Sequence, residues 1–369
     1  MSVNHNPENQ ADRRPARIVH LLGGVRAIDI QAEVVRLQIG PKMQSLRFRT
    51  PKYEHLYQTL TAFGLTPIGV EFPRSFPDRD DLASDWDCFF PTLGFRVMDE
   101  RQEWSNIRHT AGRSGDHSAY DIASRCVTYL DLLNFRLMQL SASYNRMLRS
   151  SIAGNASPGQ LTSNAYMREI DAAVHAFVAD AGSFRDLIAE IVWRIIIKGD
   201  GKVTRFSSFL KRAEGASSAS AKELIEAGGS GGWIHNLSNL RNDIVHVAPV
   251  GRAASFHYCQ VREVRFAGNF RISILHYPLL AANETVWENS THDLLFTQEN
   301  EAAIKVALAE YQAYVDSSID GLQYAWQTIQ RLAELLTRVR IETGLRGEMA
   351  TITDKDLVGE ITIHRSGGP

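Results

Sequence analysis

Cysteine is scarce in this chain. Three residues, Cys88, Cys126 and Cys259, stand far apart, and no pair has metal-ligand spacing. An odd count without clustering argues against a disulfide framework and against a zinc module. The chain also lacks an excess of either charge. Lys and Arg number 40 and Asp and Glu 42, a net charge of −2, so no global attraction to nucleic acid or to anionic membrane is expected; any such contact must come from a local patch. No apolar run reaches the ~18 residues of a membrane span. The best attempt, "IVWRIIIKG", is broken by Arg194. The first sixteen residues are polar and lack an apolar h-region, so they read as a disordered tail and not as a secretion signal, despite Arg13-Arg14. No cofactor motif and no repeat of fixed period is visible. These absences point to a cytoplasmic protein.

What is present suits a folded globule: 369 residues, 44% hydrophobic and 22% charged, enough for two domains or one domain with a large appendage. Residues 17–115 read as a mixed α/β region of unknown role. "ARIVHLL", "AEVVRLQIG" and "SLRFRT" are rich in β-branched residues and predict strands, and "KYEHLYQTLTAFG" predicts a helix with a Gly stop. A Pro-, Asp- and Ser-rich loop follows in "FPRSFPDRDDLASDWD", and "GRSGDHS" (112–118) reads as a linker with an N-cap. From Asp116 the apolar spacing becomes helical. Long helices are expected from about 118 to 148, from 165 to 198 with a candidate break at Gly182-Ser183, and as one long or kinked helix over 297–343. "SFHYCQVREVRF" and "FRISILHY" predict a β-hairpin, an insertion at about 252–280. The fold class is therefore mainly α: a helical domain over 116–345 with a β insertion, the mixed region before it and a C-terminal tail over 346–369, where "GEITIHR" could form a strand.

The most informative stretch is "SGGWIHNLSNLRNDIVHVAP". On a helix stepping ~100° per residue, Trp233, Leu237, Leu240, Ile244 and Val247 fall within roughly an 80° arc, the expected core stripe, with Ser230 as a cap and Pro249 as the stop. His235, Asn239, Asn242 and His246 fall on another arc about 150° away, with Arg241 between the two and long enough to bend toward the second. A polar stripe opposite a core stripe is usually a solvated face. Such faces are normally Lys, Glu and Gln, however, and this one carries two His and two Asn. These short side chains hold position, and imidazole is the group that exchanges protons near neutral pH.

The segment "LRNDIVH" resembles the signature of the HEPN superfamily: an Arg, a polar residue directly after it, and a His after four to six intervening residues. Here Arg241 is followed by Asn242, and four residues separate Arg241 from His246. The specific match covers seven residues; a looser resemblance runs over about 120–345. It implies a HEPN-like helical bundle and a metal-independent endoribonuclease, with no cofactor, that acts as a homodimer with two motifs facing one cleft. His246 would move the proton, Arg241 hold the phosphate, and Asn242 orient the imidazole or touch RNA. Such proteins commonly serve as toxins restrained by an antitoxin or regulatory protein, or as antiphage effectors. One departure is visible. Where nucleotidyltransferase-silenced members carry a tyrosine two residues after the His, this chain has Ala248.

Further candidates for RNA contact are His235 and Asn239 and the basic run Lys202, Arg205, Lys211 and Arg212, since phosphate contacts supply most sequence-independent affinity. A solvated basic edge explains that run equally well. "GDGK" lacks Walker spacing and reads as a turn, and "GGSGG" as a flexible connector. The alternative from another class is a non-catalytic HEPN-like module that dimerises or binds a nucleotide or a partner protein.

Overall fold

The computed structural model describes residues 17–29, 34–39, 42–47, 53–72, 85–90, 95–242, 244, 258–266, 270–279 and 301–349. The tail over 1–16, the expected strand "GEITIHR", and His246, Val247, Ala248 and Pro249 lie outside them.

The N-terminal part is an antiparallel sheet: β1 (Arg17–Leu21), β2 (Arg26–Asp29), β3 (Val34–Ile39), β4 (Lys42–Arg47), β5 (Pro67–Phe72), β6 (Asp85–Phe90) and β7 (Phe95–Arg96), with α1 (Tyr53–Ala62) between β4 and β5. The strand order is β4-β3-β2-β1-β5-β6-β7. The three expected strands appear as β1, β3 and β4, the last beginning three residues ahead of "SLRFRT", and the expected helix as α1. β6, however, begins inside the stretch expected to be a loop, because Trp86, Cys88 and Phe90 alternate toward the core.

The helical part opens earlier than the apolar periodicity suggested. α2 (Val97–Ser114) buries Val97, Trp104, Ile107 and Ala111. Gly115 ends it in the left-handed region at φ 74°, and Asp116 caps the next helix by accepting from the Ala119 N–H. The supposed linker is thus a single tight corner. α3 (His117–Ala153) has 37 residues and spans roughly 55 Å. α4 (Ala165–Ile191) runs on through a π-helical turn, Val192–Ile197, to Lys198 in the left-handed region. It does not break at Gly182-Ser183. α5 (Phe206–Arg212), α6 (Ala219–Gly228) and α7 (Trp233–Asn242) follow.

The insertion is a hairpin of β9 (Cys259–Phe266) and β10 (Phe270–His276), paired from Phe270↔Phe266 to His276↔Gln260, with β8 (Leu161–Thr162) added on the β9 edge. The long or kinked helix expected at the C-terminus is two helices, α8 (Glu301–Ser317) and α9 (Gly321–Thr343). Between them Ile319 and Asp320 form β12, which pairs with β11 (Pro278–Leu279). The interruption has a local cause: Asp320 caps α9 by accepting from the Gln323 N–H, in an Asp-x-x-Gln capping pattern.

One continuous core runs from Val19 in the sheet to Val339 in α9. Two glycines set the joint between sheet and helices. Gly23 and Gly24 have φ of 75° and 81°; a Cβ on Gly24 would lie 2.8 Å from the Tyr144 backbone, and one on Gly23 would lie 2.5 Å from Ile274. Only glycine permits both the conformation and the approach.

Asp320 anchors the far end of this core. Its Oδ1 accepts from the Tyr144 hydroxyl and the Tyr277 N–H, each at 3.0 Å, and its Oδ2 accepts from the Gln323 N–H. His276 Nδ1 lies 3.8 Å away, its pKa pushed down to about 4 by burial first and by Arg262. Burial raises the Asp320 carboxyl to about 6 against the pull of its donors. An acid whose folded pKa is raised contributes stability below its unfolded pKa and loses it as pH rises through the folded value. Relative to Asp320→Asn, the wild type should therefore lose about 2–3 kcal/mol between pH 4 and pH 6 and stay level above that. Urea denaturation across this range measures it; a constant difference would mean the carboxyl remains ionised.

Candidate functional site

The chain reverses between α6 and α7 at Gly229–Gly232. Gly231 has φ 80°, and a Cβ on Gly232 would lie 2.1 Å from the Ala227 carbonyl oxygen. The "GGSGG" run is thus a close-packed turn. Gly232 takes the cap position of α7, its carbonyl accepting from the Asn236 N–H, while Ser230 is exposed and does not cap.

α7 buries Ile234, Leu237 and Leu240. Ile244 is buried as expected, but Trp233 is only half-buried and lines a cavity instead of filling the core. His235 and Asn239 are half-buried, and Asn242 is exposed. The Asn239 Nδ2 donates to His235 Nε2 at 3.0 Å, which leaves the neutral imidazole protonated at Nδ1. An i,i+4 Asn–His pair, the relation expected of Asn242 and His246, is thus present in His235 and Asn239.

Arg241 takes a different direction from its neighbour. It lies across α4: a Cβ on Gly182 would fall 2.2 Å from the Arg241 Cδ. Its Nε is buried and has no hydrogen-bond partner among the described residues. Four residues give the wheel a simple reading, since 234, 237, 241 and 244 share one side at ~100° per residue. The glycine that looked like a helix break is the notch that receives this arginine.

One turn away the same two helices meet again. Arg185, buried on α4, donates from Nη1 to the Ser238 Oγ at 2.6 Å, and Ser238 donates on to the Ile234 carbonyl. Contacts 182–241 and 185–238 run in opposite sense, so α4 and α7 are antiparallel here. Arg185 also donates from Nη2 to Asp186 Oδ1 at 2.7 Å and lies 5.3 Å from the Phe206 ring centroid. The same Asp186 oxygen accepts from the Phe206 N–H at 2.9 Å. α5 is therefore tied to the motif helix through Asp186, Arg185 and Ser238.

α5 and the turn before it carry the basic run. Lys202, Arg205, Lys211 and Arg212 are all exposed, and none forms an ion pair among the described residues. The Arg212 Nη1 donates to the Lys202 carbonyl at 3.3 Å, which holds the two together. Arg194 points elsewhere, to Glu190 and Ser118. "GDGK" is a turn closed by the Trp193 Nε1 donating to the Gly201 carbonyl at 3.0 Å.

A second grouping has the make-up of a hydrolase triad. His20 Nδ1 is 3.0 Å from the Ser141 Oγ, and His20 Nε2 is 3.0 Å from Glu71 Oε2. Both His20 and Ser141 are wholly buried, and burial, ahead of its other neighbours, lowers the His20 pKa to about 4. With no surface for a substrate to reach, the row ties β1 and β5 to α3. Among the described residues no cluster of His, Cys, Asp and Glu is arranged to hold a metal ion.

Comparison with family models, with curated proteins and with solved structures finds no match.

The notch and the Arg185 relay left no trace in sequence, because Gly182 and Arg185 lie over fifty residues from their partners. Gly182→Ala should displace Arg241 and cost roughly 1–2 kcal/mol. In an Arg241→Ala background the same change should be neutral or stabilising, since Ala replaces Gly in a helix by up to ~1 kcal/mol. A double-mutant cycle in urea measures this; equal costs in both backgrounds would refute the notch.

Proposed function

We propose that this protein is a metal-independent endoribonuclease of HEPN type, acting as a homodimer in the cytoplasm and serving as a toxin or antiphage effector under the control of an antitoxin or regulatory protein. The observation that carries the reading is the sequence motif itself, Arg241-Asn242 with His246 four residues further on, its first two residues ending α7, whose outward side displays Asn242 and a bonded His–Asn pair. No helix among the described residues is long and apolar enough to cross a membrane.

The chemistry needs few groups. The 2′-oxygen of RNA attacks the adjacent phosphorus and the P–O5′ bond breaks, leaving a 2′,3′-cyclic phosphate and a 5′-hydroxyl. One proton leaves the 2′-hydroxyl and one is delivered to the 5′-oxygen, so a base and an acid are both needed. Two copies of His246, one from each subunit, supply the pair. Arg241 neutralises charge growing on the phosphate through charge-assisted bonds. Lys202, Arg205, Lys211 and Arg212, joined to α7 through Asp186 and Arg185, offer the RNA backbone a sequence-independent path.

The seating of Arg241 over Gly182 favours a second reading, a HEPN-like module in which the arginine is a packing residue and the domain binds a partner or dimerises without cleaving anything. The two separate in one assay. Purified wild type in EDTA should cleave RNA to cyclic-phosphate ends, and His246→Ala and Arg241→Ala should each lose activity by about a hundredfold or more with the fold retained by circular dichroism. Full activity in both variants, or none in a folded dimeric wild type, would reject the enzyme.

A further inference from the structure

A cavity of about 450 Å³ opens between α6, α7 and α9, within the range of small-molecule sites, roughly 300–1,000 Å³. α7 contributes Trp233 and Asn236, three residues apart; α9 contributes Arg331, Glu334 and Arg338, one stripe at helical spacing; α6 contributes Glu223. Nothing in the RNase motif uses these groups.

Their pairing separates the wall from the working groups. Arg338 and Glu223 satisfy each other through two hydrogen bonds, one of them from Nε to Oε2 at 2.8 Å, and close one side of the cavity. Arg331 is exposed and bonds no carboxylate among the described residues; its guanidinium lies 5.9 Å from the Trp233 ring centroid. Glu334 accepts from Gln330 Nε2 through Oε1 at 3.0 Å, leaving its other oxygen for a second donor. The Asn236 Oδ1 is shut off from solvent and has no donor among the described residues, so it belongs to the packing behind the cavity wall. The cavity thus holds a carboxylate wanting an N–H group, one cation wanting acceptors, and an aromatic ring beside them.

We propose that this cavity binds a guanine base. Guanine alone among the common bases carries N1–H and N2–H₂ on one edge and O6 and N7 on another. The first edge matches the Glu334 carboxylate. The second matches Arg331, whose fork pairs O6 and N7 with two donors. The ring stacks on Trp233 once Arg331 swings to the base edge. Adenine presents a bare N1 to the carboxylate and is rejected by lone-pair repulsion as well as by the missing donor. The base assignment itself does not depend on RNA being cleaved.

The test uses the full chain, with GMP, AMP and two single-stranded uridine hexamers carrying one central guanosine or adenosine. Binding is read by calorimetry and by tryptophan fluorescence. GMP should bind about tenfold or more tightly than AMP, and Glu334→Gln should erase most of that preference, as expected for a hydrogen bond to a charged acceptor. Trp233→Phe should weaken both nucleotides while Tm stays within a few degrees. Selective binding of GMP identifies a free guanine nucleotide as ligand, and selective binding of the guanosine hexamer alone identifies RNA. Equal affinity for GMP and AMP with equal affinity for the two hexamers, or a guanine preference untouched by Glu334→Gln, overturns the proposal. Guanine binding without RNA cleavage would sink the nuclease reading and leave this one standing.

Discussion

Burial of α3 on two sides is the constraint on which the rest of the structure depends. Helices of its length can stand free in solvent, but this one is packed by α2 and α4 and by the N-terminal sheet along its course. A helix buried on two sides should be apolar on both. α3 is not: Asn134, Ser141, Ser143 and Asn145 are buried with it. Each must find a partner, because an unpaired polar group in a core costs about as much as a lost core methylene or more. Asn134 accepts from the Cys88 N–H and donates to the Trp86 carbonyl, so one amide side chain continues the edge of β6 into the helix. Ser141 meets His20, and Asn145 donates to the Gly24 carbonyl at 2.8 Å. These bonds fix where along α3 the sheet sits; apolar contacts alone would tolerate a slide by a turn.

The same device recurs where the elements of the candidate site join. α4 has polar groups on its inner side, Arg185 among them, and they are satisfied by Asp186, Ser238 and the N-terminal N–H of α5. The angular position of α7 follows from that network and from the Gly182 notch together. If Gly182 carried a side chain, Arg241 would have to lie elsewhere, and α7 would turn or move outward. A function that depends on Arg241 therefore depends on a glycine that makes no polar contact. The residue that positions the guanidinium acts by what it lacks.

At its far end the bundle closes through a buried acid. Asp320 is at once the cap of α9, a partner of Tyr144 on α3 and of the Tyr277 backbone, and a member of the short β11–β12 pair. One side chain holds three elements, so its ionisation bears on all of them. The hairpin adds to this closure: Arg262 and His276 reach the Val315 carbonyl near the end of α8, supplying partners for a carbonyl that the helix leaves unmatched.

Local chemistry alone determined much of this protein. Apolar spacing marks α1, α3, α4 and α9, β-branched alternation marks β1, β3, β4 and the β9–β10 hairpin, and the His–Asn arc on α7 follows from its 3.6-residue period. Capping chemistry was also there to be read in "DGLQ", and the apolar run across it hid the division between α8 and α9. α2 was missed because its buried residues are spread thinly among charges, so its burial comes from α3 and α9 and not from its own pattern. The seat of Arg241, the relay through Arg185 and the meeting of Trp233 and Asn236 with Arg331 and Glu334 were decided only by tertiary structure. Each joins residues far apart in the chain, and the joining rests on which side chains are short enough, or absent enough, to let two helices approach. Sequence carries the period of a helix; the neighbour a helical face meets is set by packing.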